Sequence, residues 1–170
     1  MKDDVPQEHK AHAPASVGCF VLTISDSKTP ETDTSGALIR ELLSAAGHRV
    51  TGHAIVKDEP AQVTAVIRSG CAAPSVEAFI LTGGTGITNR DSTHEAIDAL
   101  LDKRLAGFGE LFRMLSYQDI GPAAMLSRAQ GGVVQGRVLF SLPGSPNACR
   151  LALEKLIIPE LPHLIREVRR

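Results

Sequence analysis

The stretch of sequence that decides the fold is residues 78–95, which read AFILTGGTGITNRDSTHE. An apolar run leads into three glycines. A polar segment with an arginine and an aspartate follows, and then residues typical of a helix start. Strand, glycine-rich loop and helix N-terminus is the order in which proteins build anion sites from main-chain N–H groups. The stretch therefore predicts an α/β unit that holds a phosphorylated ligand at this loop.

Apolar runs and helical patterns alternate along the rest of the chain. Strands are predicted over residues 17–24, 49–56, 78–82 and 138–142. Helices are predicted from a cap at Thr34 or Ser35 to Gly47, then over 58–69, 92–101, 107–120, 122–128 and 147–158, and from Pro159 onward. Residues 131–136 look like a turn between short strands. The alternation predicts a three-layer α/β/α sandwich with a mainly parallel sheet.

Composition narrows the class of protein. We expect residues 1–16 to be a disordered tail and residues 17–170 to form a single domain. The net charge of −1 gives no reason to expect nucleic acid or a membrane surface as partner. The three cysteines match no zinc or redox spacing, so buried thiols in a reducing cytoplasm are expected.

The glycine loop is the predicted phosphate site. Gly83, Gly84 and Gly86 let a phosphate approach the main chain, with Thr85 between them and Arg90 available to offset charge. No Lys-Ser/Thr pair follows, which excludes a P-loop, and the third glycine of a dinucleotide fingerprint is missing. The alternative for the glycine loop is a tight turn that binds no ligand. The alternative for Arg90 is an exposed salt bridge.

Two aspartates are candidate magnesium ligands. Asp91 lies where phosphates would bind, and a carboxylate is unfavourable there unless a cation such as Mg²⁺ lies between. Asp58 follows the predicted second strand, and together with Asp91 it could supply the carboxylates that hold Mg²⁺. Each also has a structural explanation: Asp91 as an acid at a helix N-terminus, and Asp58 as a cap before Pro60.

Four loops should meet at the carboxyl edge of the parallel strands, where ligands of such sheets bind. They are 25–27, 56–58, 82–91 and 143–147. The last of these is a second candidate anion site or a plain turn capped by Ser145. Ser127 and Arg128 face the same cleft or are ordinary surface residues.

Taken together, these segments resemble the MoaB/MogA family of molybdenum cofactor biosynthesis proteins, which includes the G domains of gephyrin. The match covers nearly all of residues 17–161. Its blocks are ISD (24–26), VKDEP (56–60), TGGTGITNRD (82–91), MLSR (125–128) and LPGSPNA (142–148). Residues 107–116 and 148–150 favour the MoaB side of the family.

The resemblance implies adenylylation of molybdopterin by ATP, with release of pyrophosphate. It implies that Asp58 and Asp91 are the catalytic, Mg²⁺-associated aspartates and that the loop at 83–86 holds the nucleotide phosphates. The implied substrate-binding residues are Ser25, Asp26, Ser127, Ser141, Pro143, Gly144, Ser145 and Asn147. Homo-oligomers, as trimers or as hexamers of paired trimers, are also implied.

Two other functions compete with the adenylyltransferase. A non-catalytic molybdopterin carrier would need neither Asp58 nor Asp91, so the presence of both carboxylates favours the enzyme. A nicotinamide-dependent oxidoreductase would need a complete glycine fingerprint and an acid about twenty residues further on, and Asp102 comes too early.

Overall fold

A six-stranded sheet forms the middle layer of the structure, a computed structural model that describes residues 14–89 and 91–170. Its strands are β1 (Gly18–Ile24), β2 (Arg49–Val56), β3 (Ala78–Gly83), β4 (Lys103–Arg104), β5 (Gln130–Val134) and β6 (Arg137–Leu142). The helices are α1 (Thr34–Ala45), α2 (Pro60–Cys71), α3 (Thr93–Asp98), α4 (Ala106–Ile120), α5 (Pro146–Ala152) and α6 (Ile158–Val168). A 3₁₀ turn (Gly121–Leu126) and a π-helical turn (Leu153–Ile157) complete the described elements.

The strand order is β2-β1-β3-β6-β5-β4. The first four strands pair in parallel, whereas β5 runs antiparallel to both β6 and β4. The central strands β1 and β3 are buried on both faces, which explains why they read as continuous apolar runs. The predicted mainly parallel sheet is confirmed.

Alternating side chains of the central strands feed two separate cores. Val21 and Ile80 point to the face covered by α1, α4, α5 and α6, while Leu22 and Leu81 point to the face covered by α2 and α3. Each face of the sheet thus buries its own apolar set against helices. This arrangement is the three-layer sandwich that the alternation of strands and helices predicts.

The predicted turn over residues 131–136 is wrong for most of its length. Residues 131–134 lie in β5, and only Gln135 and Gly136 form the turn, both with positive φ. Gly131 and Gly132 serve packing instead. A Cβ on Gly131 would lie 2.9 Å from the Phe140 side chain, and one on Gly132 would lie 2.5 Å from the Lys103 carbonyl oxygen and 2.8 Å from the Leu101 side chain. A glycine pair that makes room for large neighbours looks like a turn signal in sequence.

Several helix ends differ from the prediction. Asp33, not Thr34 or Ser35, caps α1, and its side chain accepts a hydrogen bond from the Gly36 N–H. Ser92 precedes α3 but makes no side-chain cap, and α3 ends at Asp98 instead of reaching residue 101. The predicted helices 122–128 and 147–158 are a 3₁₀ turn over Gly121–Leu126 and a helix that becomes a π-turn after Ala152.

Other expectations concern single residues and the tail. Cys19, Cys71 and Cys149 are buried and unpaired, as expected. In the described part of the chain no helix is both long and apolar enough to cross a membrane. Residues 1–13, most of the predicted tail, lie outside the described residues, as does Arg90.

Candidate functional site

The four loops at the carboxyl edge of the parallel strands do lie against one another. The Ser25 N–H donates to the Val56 carbonyl at 2.8 Å, and the Asp58 N–H donates to the Asp26 carboxylate at 3.1 Å. The Gly144 Cβ position lies 3.6 Å from the Gly83 Cα, so the loop after β6 touches the glycine loop. Strand register therefore gathers segments distant in sequence into one candidate site.

The glycine loop leaves β3 in a conformation that only glycine adopts easily. Gly83 has φ +93° and Gly84 has φ +67°. A Cβ on Gly83 would also clash with the Ile24 carbonyl, and one on Gly84 would lie 3.0 Å from Thr93. The first two glycines thus let the main chain turn sharply and pass close to β1 and the start of α3.

Asp58 carries a buried polar atom at the glycine loop. Its Oδ1 is buried and has no hydrogen-bond partner among the described residues, and it lies 3.4 Å from the Cβ position of Gly84. Asp58 does not cap α2, because Glu59 occupies the cap position. A buried carboxylate oxygen without a donor is costly, so a cation or a ligand donor beside the glycine loop would stabilise it.

Asp91 lies at the other end of the glycine loop. Its Oδ2 accepts the Thr88 N–H at 2.7 Å, and a Cβ on Gly86 would clash with the same carboxylate. Gly86 therefore makes room for a side chain, whereas Gly83 and Gly84 provide unusual backbone angles. The loop holds Asp91 against its own main chain, where a phosphate ligand would approach.

The chemistry of these two carboxylates suits a magnesium ion whose other ligands come from a substrate and water. No group of three or more His, Cys, Asp or Glu side chains that could hold a metal occurs among the described residues. Mg²⁺ is commonly bound by one or two carboxylates, with water and substrate phosphates as the remaining ligands. Asp58 and Asp91 would supply the protein's share of such a set.

Arg128 is a residue of the site that sequence reasoning left open as a surface group. Its guanidinium donates to the Thr85 carbonyl at 3.3 Å and also to the Gly86 carbonyl, and it pairs with Glu95. Arg128 thereby fastens the glycine loop to the segment before β5. Only its place in the MLSR block could have indicated this contact from sequence.

Burial and the Arg128 charge also affect the neighbouring histidine. The pKa of His94 is lowered, first by burial and then by the Arg128 guanidinium. His94 is therefore neutral at pH 7, and its Nδ1 is buried without a partner. A neutral imidazole here adds no positive charge to the loop.

Three side chains hold the loop between β6 and α5 in place. Ser35 Oγ donates to the Gly144 carbonyl at 2.7 Å, and Thr82 Oγ1 donates to the Pro143 carbonyl at 3.1 Å. Cys149 Sγ also contacts the Pro143 carbonyl, and burial raises the pKa of this thiol to about 11. The loop is thus fixed from α1, β3 and α5, and Cys149 is a structural thiol.

The structure places the remaining predicted residues in four settings. Ser145 caps α5 and shares with the exposed Asn147 the wall of a cavity of about 430 Å³. Ser127 lines a separate cavity of about 440 Å³. Ser141 is fully buried in β6 with no partner for its Oγ, and Ser25 Oγ accepts N–H groups of its own loop.

Comparison with known proteins shows the family of this chain. The sequence profile described as "Probable molybdopterin binding domain" matches residues 20–163. The chain belongs to this family. As a member it is a molybdenum cofactor biosynthesis protein, and the resemblance inferred from the sequence motifs is confirmed.

Curated relatives support the MoaB side of the family. Molybdenum cofactor biosynthesis protein B of Bacillus cereus is 54% identical over 164 residues, covering 96% of this chain and 97% of the relative. The protein of the same name from Bacillus subtilis is 52% identical over 165 residues, with 96% and 97% covered.

Solved structures agree with the fold. A crystal structure of molybdenum cofactor biosynthesis protein B matches with TM-score 0.90 and 53% identity, covering 94% of this chain and 99% of that one. The tungsten cofactor synthesizing protein MoaB from Pyrococcus furiosus matches with TM-score 0.81 and 41% identity, covering 93% of this chain and all of its own.

Proposed function

We propose that this chain is a Mg²⁺- and ATP-dependent molybdopterin adenylyltransferase. The terminal phosphate of molybdopterin attacks the α-phosphate of ATP, a phosphoanhydride bond forms, and the bond to the departing pyrophosphate breaks. The observation that carries the proposal is the buried Asp58 Oδ1 beside Gly84, which has no partner in the part of the chain that the structure describes. A bare carboxylate oxygen at a loop suited to anions favours a ligand that brings a cation with its phosphates.

Each part of the glycine site has a role in this reaction. The main chain at Gly83, Gly84, Thr85 and Gly86 would hold the nucleotide phosphates, with Arg90 offsetting their charge. Asp58 and Asp91 would hold Mg²⁺, which would neutralise negative charge on the phosphates. Phosphoryl-type transfer depends on positioning and charge stabilisation more than on a protein nucleophile.

The residues around the neighbouring loops would bind the pterin. We assign this role to Ser25, Asp26, Ser127, Pro143, Gly144, Ser145 and Asn147. Ser141, which the resemblance also implies, is fully buried in β6 and is assigned no contact with the pterin. Cys149 is the thiol nearest this group, but burial raises its pKa to about 11, so it is protonated at neutral pH and unsuited to attack. The pterin phosphate itself is therefore the nucleophile in the proposed reaction.

The proposal extends to the setting of the enzyme. We infer a cytoplasmic protein, because three buried, unpaired cysteines suit a reducing compartment. We also propose that it acts as a homo-oligomer, a trimer or a hexamer, as the family resemblance implies.

The test is an assay with purified protein, molybdopterin, ATP and Mg²⁺ that follows adenylylated pterin and pyrophosphate. We expect Asp58→Asn and Asp91→Asn to lower kcat by about 100-fold or more, since each removes charge that stabilises the transferring group. Chelation of Mg²⁺ should abolish turnover. Glu41→Gln, an exposed acid on α1, is the matched control and should leave kcat unchanged.

The same assay separates the enzyme from the carrier. Molybdopterin that binds to the wild-type protein without forming product would overturn the adenylyltransferase and support a non-catalytic carrier. Full activity in both aspartate variants would overturn the roles assigned to Asp58 and Asp91.

A further inference from the structure

Three main-chain carbonyls between residues 85 and 91 converge on one side chain, that of Arg128. Its Nε donates to the Thr85 carbonyl at 3.3 Å, and its Nη2 donates to the Gly86 carbonyl and lies 3.5 Å from the Asp91 carbonyl oxygen. The side chain is only 22% exposed, so these bonds are largely shielded from water. The negative ends of the peptide dipoles therefore face a permanent positive charge.

Each nitrogen of the Arg128 guanidinium already donates to an oxygen of the protein. Nε and Nη2 bind the carbonyls, and Nη1 pairs with the Glu95 carboxylate. A planar guanidinium that is held at all three nitrogens is fixed in orientation and binds two carbonyls at once. Its effect on a ligand is therefore exerted through the main chain that it holds.

The direction of these carbonyls fixes the direction of the neighbouring N–H groups. In a planar trans peptide the C=O and the N–H point in opposite directions. The Thr85 carbonyl shares its peptide with the Gly86 N–H, and the Gly86 carbonyl shares its peptide with the Ile87 N–H. Because both carbonyls point at one guanidinium, both N–H groups point away from it. Successive N–H groups directed to one side form a main-chain anion site.

The carboxylate of the loop itself agrees with this direction. Asp91 Oδ2 accepts the Thr88 N–H at 2.7 Å, which is the N–H that follows the pair. The same carboxylate lies against Gly86, where an added Cβ would clash with it. An oxyanion is thus bound by an N–H of the loop, whereas the carbonyl oxygens of Thr85 and Gly86 face a cation.

Strand order gives the side towards which the N–H groups point. Arg128 lies just before β5 and Asp58 lies just after β2, and these two strands are on opposite sides of β3. The glycine loop leaves β3 and therefore lies between Arg128 and Asp58. An N–H that is turned away from Arg128 is turned towards the side of the buried Asp58 carboxylate.

A second arginine, Arg113 of α4, fixes the segment that carries Arg128. Its Nη1 donates to the Ser127 carbonyl at 3.4 Å and to the Ala129 carbonyl at 3.3 Å, on either side of Arg128. Gly109 leaves room for this contact, because a Cβ there would lie 2.9 Å from Arg113 Nη2 and from the Ala129 carbonyl oxygen. The glycine loop is thus tied to α4 through two arginines in series.

We propose that Arg128 is a positioning residue that sets the polarity of the glycine loop. It holds the carbonyls of Thr85 and Gly86, and it thereby presents the N–H groups of Gly86 and Ile87 to a phosphate or pyrophosphate group. Arg113 fixes the segment from which Arg128 acts. The part that makes this ligand the phosphates of ATP rests on the function proposed above.

Amide spectra recorded during a titration with inorganic pyrophosphate and Mg²⁺ test this polarity. The protein is deuterated and isotope-labelled at the nitrogens of glycine and isoleucine. We expect the amide signals of Gly86 and Ile87 to shift as pyrophosphate binds. A wild-type protein that binds no pyrophosphate, or binds it without moving these two signals, would overturn the proposal.

Arg128→Lys tests the arginine itself. Lysine keeps the charge but cannot bridge two carbonyls, so we expect the affinity for pyrophosphate to fall by about 10-fold or more and the two amide shifts to shrink. Arg104→Lys is the matched control, because it makes the same exchange at an exposed arginine that pairs with Asp98, and it should leave the affinity unchanged. If Arg128→Lys unfolds at a lower temperature but binds pyrophosphate as the wild type does, Arg128 is structural only and the proposal fails.

Arg113→Lys keeps the test decisive if Arg128→Lys does not fold. Because Arg113 acts through Arg128, its replacement should weaken pyrophosphate binding by about 3-fold or more and should add nothing in the Arg128→Lys background. Wild-type affinity in Arg113→Lys, or effects of the two substitutions that add in full, would contradict the arrangement in series.

The adenylylation assay gives a separate answer. We expect Arg128→Lys to raise the KM for ATP more than it lowers kcat, since it disturbs the groups that hold the phosphates. A protein that binds pyrophosphate at Gly86 and Ile87 but forms no adenylylated pterin would overturn the proposed function and support the loop polarity. Adenylylation by a protein whose Gly86 and Ile87 signals do not move would do the reverse.

Discussion

Asp33 connects three parts of the fold through one carboxylate. The residue is 2% exposed. Its carboxylate accepts hydrogen bonds from the Gly36 N–H at 2.9 Å and from Thr23 Oγ1 at 2.7 Å, and it lies 3.0 Å from His53 Nε2. It therefore caps α1 while joining that helix to β1 and β2. The next residues of α1 include Ser35, which holds the Gly144 carbonyl of the candidate site.

We expect Asp33→Ala to lower the free energy of unfolding by about 2–4 kcal/mol, since it removes a helix cap and leaves the Thr23 hydroxyl unsatisfied. Urea denaturation measures the change. Glu41→Ala is the matched control, because this exposed acid lies on the same helix and should cost less than about 0.5 kcal/mol. Equal stability of the two variants would contradict the role given to Asp33.

At the scale of elements, the junction of β3 with the glycine loop depends on a glycine for two separate reasons. Gly83 combines φ +93° with a Cβ direction that points at the Ile24 carbonyl. Gly47, after α1, has a similar φ of +84° but nothing within 4 Å of its Cβ position. An alanine at Gly47 would have the cost of the backbone conformation alone, whereas an alanine at Gly83 would have that cost and the cost of a clash.

We expect Gly47→Ala to cost about 1 kcal/mol of stability, the usual penalty for a non-glycine residue in the left-handed region. Gly83→Ala should cost clearly more, because β1 and β3 would have to separate locally to admit the methyl group. Thermal and urea unfolding of both variants give the comparison. Equal costs would mean that the loop relaxes without moving β1.

At the scale of the whole molecule, Glu77 joins several elements at the amino end of the parallel strands, opposite the candidate site. Its carboxylate accepts the Gly18 N–H of β1 and pairs with Arg49 of β2 and with Arg169 after α6. Glu77 is 9% exposed, so these bonds are largely shielded from water. The chain's first strand, third strand and last helix are thereby joined far from the glycine loop.

Because Glu77→Ala leaves the buried Gly18 N–H without an acceptor, we expect it to destabilise the fold by about 1–3 kcal/mol. Its kcat in the adenylylation assay should stay unchanged below the unfolding transition, since the residue lies at the other end of the strands. Glu167→Ala, which removes exposed ion pairs with Arg166 and Arg170, should cost under about 1 kcal/mol. A large loss of kcat in folded Glu77→Ala would contradict this separation of stability from function.

Much of the fold follows from local patterns in the sequence. Buried strands appear as apolar runs, and amphipathic helices repeat apolar residues every three to four positions. The alternation of strands and helices, the fold class and the glycine loop after β3 were therefore predictable. The predictions failed where one residue type serves two purposes. Gly131 and Gly132 make room for large side chains in a strand, and Asp33 caps a helix that Thr34 or Ser35 was expected to start.

The sequence by itself determined the α/β/α class and the position of the glycine loop between β3 and α3, because these depend on neighbours along the chain. Only the tertiary structure decided which groups meet. Ser35 reaches Gly144 across 109 residues, and Arg128 reaches Thr85 across 43. The burial of the Asp58 oxygen, which has no partner among the described residues, likewise depends on what packs nearby. Strand pairing brings distant segments together, and burial exists only once that packing is complete.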